Sequence, residues 1–177
     1  MSQSGSFNSG GGGGGAGGVL LQTINASNSS SIDFTGLTGY DQYEVQFYSV
    51  LTTGTSMQFI RFSTDNGSTW EATNYNYASS VAFPNSGGLN GATGQTAIDI
   101  STATTDSATL PWSGFFRFQT FATALAKSAY GRSVGQFSGC LQYEGSGYWV
   151  GVPVVNGIQF IPDAGTFISG TFKIYGI

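Results

Sequence analysis

Nine carboxylates, five cations and a single thiol carry most of this chain's capacity for acid, base or nucleophilic work, because histidine is absent. Without an imidazole there is no Ser-His-Asp or Cys-His catalysis, and the commonest zinc ligand is missing. A Ser-Lys pair would have to use Lys127 or Lys173, and nothing flanking either residue suggests one. Cleavage of a glycosidic bond needs two carboxylates facing each other across a cleft. Asp33, Asp41, Glu44, Asp65, Glu71, Asp99, Asp106, Glu144 and Asp163 are far apart in sequence, and most fall at turns or on polar strand faces, where solvation accounts for them. Calcium needs only carboxylate, amide and carbonyl oxygens. Its best local candidate, Asp65-Asn66-Gly67, lacks the alternating acidic spacing of an EF-hand loop and reads as a turn. Cys140 has no second cysteine to pair with. It lies in QFSGCLQYE, a strand-like run without the electropositive surroundings of a reactive thiol, and is expected as a small buried apolar residue. Neither an enzyme nor a cofactor or metal site is expected.

The stretch STDNGSTW (63–70) is the most specific local pattern. Asp65 can accept hydrogen bonds from the turn backbone, Gly67 supplies a positive φ, and Trp70 can pack under the loop. As Ser-x-Asp-x-Gly-x-Thr-Trp it resembles the Asp-box of sialidases and related glycan-cleaving propellers, where the motif shapes a hairpin away from the catalytic centre. It occurs once here, in 177 residues, too short a chain for a multi-bladed propeller. Ser63, Asp65, Gly67 and Trp70 are therefore expected to staple a hairpin, with WEATNYNYASS (70–80) as its return strand.

The elements that position these residues read as strands. Only 8% of residues are charged, 15% are aromatic, and Ser, Thr, Asn and Gln fill the polar positions, a composition suited to strand surfaces and poor for helices. VLLQTI (19–24), SIDF (31–34), QYEVQFYSVL (42–51), MQFIRFS (57–63), AIDIS (97–101), WSGFFRFQTF (112–121), IQFIP (158–162) and GTFKIYGI (170–177) all carry strand signals. AYGRSVGQFSGCLQYE (129–144) and GYWVGVPVV (147–155) are expected to pair across a Glu144-Gly145-Ser146-Gly147 turn. SGGLNGATGQT (86–96) reads as a long mobile loop, and ATALAKS (122–128) as one turn of helix at most. About ten strands without a long helix predict an all-β, antiparallel two-sheet sandwich of jelly-roll type over residues 19–177. Exposed aromatics could stack on sugar rings; Trp70, Tyr75, Tyr77, Tyr148 and Trp149 are the candidate glycan contacts, against a competing reading as core or interface.

Residues 1–18 are different: half are glycine, and after Met1 the one large apolar side chain before Val19 is Phe7. They are read as a flexible tether or as an arm that docks on a partner, with Phe7 as anchor and Gly10, Gly11, Gly12, Gly13, Gly14 and Gly15 allowing close backbone approach. MSQSGSFNSG lacks the basic and apolar regions of a secretory signal, so synthesis in the cytoplasm without standard export is expected. No apolar run approaches the ~20 residues that span a bilayer. A formal charge of −4 and scattered cations oppose nucleic-acid binding.

Three stretches together carry a resemblance: GYDQYEVQFYSVL, FIRFSTDNGSTWEATNYNY and the closing SGTFKIYGI. They are similar to small structural proteins of tailed bacteriophages, which are commonly trimeric β-sandwich modules of tail fibres, fibre adaptors or capsid decorations. The resemblance implies a homotrimer located in the virion. It also implies contacts with other virion proteins through the glycine-rich arm and, as an alternative role, contact with host surface polysaccharide.

Overall fold

Segments in which apolar and polar residues alternate form strands, since β-branched and aromatic side chains fit a pleated, half-buried surface. The computed structural model describes residues 18–54, 56–101, 109–136 and 140–177. The expected docking residues Phe7 and Gly10 to Gly15 lie outside the described residues, as do Asp106 and the side chain of Cys140.

Among the described residues the chain is all-β. Its strands are β1 (Val19–Ser29), β2 (Ile32–Phe34), β3 (Tyr43–Thr52), β4 (Gln58–Ser63), β5 (Tyr75–Phe83), β6 (Ser86–Gln95), β7 (Ile98–Asp99), β8 (Trp112–Gln119), β9 (Lys127–Gln136), β10 (Cys140–Trp149), β11 (Gly157–Pro162) and β12 (Phe167–Gly176). They form an eight-stranded sheet in the order β1-β12-β3-β8-β9-β10-β5-β6 and a four-stranded sheet in the order β2-β11-β4-β7. Every pairing is antiparallel.

The two sheets meet through aromatic side chains. Tyr43, Val45 and Phe47 of β3, Phe116 and Phe118 of β8, and Phe172 and Ile174 of β12 are buried from the large sheet. Phe34, Ile60, Phe62, Ile158 and Phe160 are buried from the small one. Phe160 is the hub, with ring centroids 5.6 Å from Phe172, 6.3 Å from Phe47, and 6.5 Å from both Phe34 and Phe118. Edge and tilted contacts of this kind suit the ring quadrupole and add to the effect of area burial.

The structure corrects four local expectations. SGGLNGATGQ is a strand, β6, paired with β5 from Tyr75↔Gln95 to Phe83↔Ser86 across the two-residue Pro84–Asn85 turn. Backbone hydrogen bonds hold it, with almost no side-chain burial, so no hydrophobic pattern announces it. The Asp-box stretch does not join a hairpin. β4 pairs with β11 and β7 in the small sheet, whereas β5 pairs with β10 and β6 in the large one. Residues 63–74 are thus a corner between sheets, and the return strand begins only at Tyr75. Glu144-Gly145-Ser146-Gly147 is the unbroken middle of β10. Its glycines face inward to make room: a Cβ on Gly147 would stand 2.7 Å from Ile98 Cγ2, and one on Gly145 2.5 Å from Tyr143 Oη. Finally, β10 ends at Trp149, and VGVPV continues as a loop with Val150, Val152 and Val154 exposed.

Candidate functional site

At the corner, Ser63, Asp65, Gly67 and Trp70 do come together. The Ser63 hydroxyl donates to Asp65 Oδ1 at 2.8 Å and accepts from the Gly67 N–H at 2.8 Å. Asp65 also accepts from the Thr69 N–H at 2.8 Å and the Thr69 hydroxyl at 2.7 Å. Those two bonds, followed by the one from Ser63, hold the Asp65 carboxyl below the ordinary carboxylate range. Gly67 has φ of +86°, and a Cβ there would lie 2.7 Å from Thr35 Cγ2 and 3.4 Å from Trp70 Cζ2. Asn66, read from the sequence only as a turn residue, ties the corner to its neighbours: its N–H donates to Asn156 Oδ1, and its own Oδ1 accepts from the Gly36 N–H. The corner is a clamp between loops. Among the described residues no group of three or more His, Cys, Asp or Glu could hold a metal ion.

The glycan candidates separate. Tyr75 is fully buried; its hydroxyl accepts from the Phe62 N–H at 2.8 Å and donates to the Glu71 carbonyl at 3.2 Å. Trp149 is buried 6.3 Å from the Tyr75 ring. These two are therefore core residues and cannot reach a sugar. Tyr77 is half-buried against the core. Only Tyr148 projects from the outer face of the large sheet. The dipeptide Tyr148-Trp149 was bound to split, since neighbours on a strand point to opposite faces.

That outer face carries the grooves. One of about 650 Å³ is lined by Tyr48, Phe115, Tyr130 and Val134 around Glu44 and Arg117. A second, of about 400 Å³, runs past Leu89, Phe115, Tyr130, Arg132 and Glu144; a third, of about 510 Å³, lies between Tyr77, Tyr130 and Tyr148. Tyr130 borders all three. Arg117 Nε donates to Glu44 Oε2 at 2.6 Å, and Gln46 Nε2 donates to Glu44 Oε1 at 2.7 Å. The Tyr48 hydroxyl donates to the Gln46 side-chain carbonyl, and the Lys173 ammonium stands 5.7 Å from the centroid of the Tyr48 ring. Glu44, and behind it the Tyr130 hydroxyl, raise the Arg117 pKa above its ordinary value. Both Glu44 oxygens are thus engaged. The arrangement presents flat aromatic and planar polar surface, and its one internal carboxylate is balanced by a guanidinium. Sequence reading did not single out Tyr48, Phe115 or Tyr130; alternation shows only that they point away from Phe47, Phe116 and Ala129, which face the core.

Other carboxylates serve the framework. Asp163 accepts from the Ser56 hydroxyl and the Met57 N–H at 2.8 and 2.9 Å, Asp41 from the Ala122 N–H at 3.1 Å, and Asp33 from Gln159 Nε2 at 3.0 Å. Asp99, at the end of β7, is buried; loss of solvent pushes its pKa up to about 7, with the Ser101 N–H opposing and Asp163 adding to the rise. Lys127 is also buried, and its ammonium donates to the Thr123 and Leu125 carbonyls at 2.5 Å each, closing the 120–126 turn. No protein-family model matches this chain, and no curated protein proves significantly similar to it.

Proposed function

We propose that this chain is a non-enzymatic structural component of a tailed-phage virion. Its preferred place is a tail fibre or fibre attachment, with capsid decoration as the alternative. Its jelly-roll-like sandwich works as a trimer, and its glycine-rich N-terminal segment docks on a neighbouring virion protein. The observation that carries this reading is the use of its ionisable side chains: Asp33, Asp41, Glu44, Asp65, Asp163 and Lys127 each hold a piece of framework. The sequence resemblance supplies the virion context. Light scattering of the purified chain should report a trimer, and a chain lacking residues 2–18 should fold but no longer enter particles. A monomeric mass, or particle entry without those residues, would count against the reading.

A second reading, contact with host surface glycan, is favoured by one observation: the outer-face groove flanked by Tyr48, Phe115 and Tyr130. Aromatic faces suit the C–H faces of sugar rings, and planar amide and guanidinium groups suit their hydroxyls. The contact then moves away from Tyr75 and Trp149, which are core, to the outer face. Tyr130→Ala should abolish binding on an array of host polysaccharide fragments if this reading holds; a blank array with the unsubstituted protein would exclude it.

A further inference from the structure

The eight-stranded sheet has twice as many strands as the sheet it packs on, so its outer strands are largely uncovered: only Ile24 and Ala26 of β1 reach the core. β6 is exposed along nearly its whole length, and β1 is exposed at all but Ile24, Ala26 and Ser29. Among the described residues each pairs on one side only, β1 with β12 and β6 with β5. Their outer edges therefore present rows of N–H and C=O groups. Soluble proteins usually blunt such edges with Lys, Pro, inward charges or bulges. VLLQTINASNS and SGGLNGATGQ contain no charged residue and no proline. β1 has an irregularity at Leu20/Gln22, after which Gln22 to Ser27 pair regularly. On β6, Asn90 Oδ1 accepts from the Gly91 N–H, a local bond that a partner strand would replace.

We infer that these edges join copies of this chain head to tail: β6 of one protomer pairs with β1 of the next. Three features select that occupant. The strands match in length, 11 and 10 residues. Antiparallel neighbours throughout an eight-stranded sheet make its first and last strands run in opposite directions, so a β6-to-β1 junction continues the antiparallel ladder. Third, in a full-length overlap the apolar start of β1, Val19 to Leu21, meets Thr93 to Gln95, an uncharged stretch in which Gly94 leaves room for a neighbouring side chain. A two-fold β1-to-β1 junction would set the same residues against Ser27, Asn28 and Ser29 and would stop at a dimer. Head-to-tail contacts are heterologous, and they form a closed ring, as a trimer requires, when the rotation from one protomer to the next closes, and an open filament when it does not. The inference rests on the self-association proposed above and names its surface.

The test uses full-length chains with two lysines on one edge: Leu21→Lys with Thr23→Lys on β1, or Leu89→Lys with Asn90→Lys on β6. All four positions are exposed, and near-UV circular dichroism checks that each variant is folded. In sedimentation velocity each variant should be monomeric. An equimolar mixture should form a 1:1 dimer, because one intact β6 meets one intact β1. Amide exchange on the unsubstituted assembly should show both edges protected. Loss of assembly in the β1 variant alone would point to β1-to-β1 pairing and overturn the inference; so would a mixture that stays monomeric, or variants that assemble normally. Dissociation on deleting residues 2–17 from a chain with intact edges would give β1 to the N-terminal arm instead. An unsubstituted protein that is itself monomeric would defeat the assembly reading as a whole, an outcome distinct from an assembly indifferent to its edges.

Discussion

Asp99 and Asp65 pull the pH dependence of stability in opposite directions. Burial holds the folded Asp99 carboxyl near 7, above its unfolded value. Between about pH 4 and pH 7 the native state therefore binds the extra proton, and its stability falls as pH rises through that window. Asp65 has a depressed pKa, so its contribution is present above the ordinary carboxylate range and fades as pH drops through its folded value. Asp99→Asn keeps an acceptor for the Ser101 N–H, 3.0 Å away, and removes the charge. Urea unfolding should then show the wild type losing on the order of 2–4 kcal/mol between pH 4.5 and pH 8, with the variant nearly flat. Equal slopes for the two proteins would mean that Asp99 is well solvated. Asp65→Ala should lower the urea midpoint at pH 7 and erase part of the acid-side decline.

Strands and turns depend on a few positions with no slack. A Cβ on Gly131 of β9 would fall 2.1 Å from the Phe115 carbonyl oxygen and 2.7 Å from Phe116 Cγ. Gly131→Ala must spread β8 from β9, at a cost of roughly 3 kcal/mol or more, visible as a lowered urea midpoint. Phe160→Ala removes the ring shared by both sheets and should cost about 3–5 kcal/mol by the same measurement. Lys127→Met leaves the Thr123 and Leu125 carbonyls without their donor. A loss of about 1–3 kcal/mol is expected, with faster amide exchange in the 120–126 turn. Methionine preserves the packed stem, so any loss reports on the ammonium.

At the scale of the whole molecule, unequal sheet widths matter most. Four strands bury the centre of eight, and the overhanging strands β1 and β6 gain little from the protomer's own core. Their order should therefore depend on association. If assembly covers them, the unfolding midpoint rises with protein concentration, since an assembly that exists only among native chains stabilises by mass action. Calorimetric scans across a hundred-fold concentration range would show this. A midpoint independent of concentration would mean that the folded protomer stands alone.

The sequence by itself determined the class of fold, because period-2 alternation and a strand-forming, charge-poor composition are local properties. QYEVQFYSVL (42–51), MQFIRFS (57–63) and WSGFFRFQTF (112–121) match β3, β4 and β8 to within one or two residues at their ends. The bonds that Ser63 and Asp65 side chains make inside STDNGSTW were equally legible, since Gly67 and Thr69 lie within a few residues of them. Tertiary structure alone decided which strands pair. Whether Ser63 to Asn74 turns a chain back beside itself or carries it to another sheet depends on neighbours 80 to 100 residues away, such as Asn156 and β11. It also decided that Tyr75 and Trp149 belong to the core and Tyr48, Phe115 and Tyr130 to the surface: alternation says that neighbours diverge, not which direction is inward. β6 stayed hidden for the plainest reason, that a strand held by backbone bonds leaves no trace in its side chains.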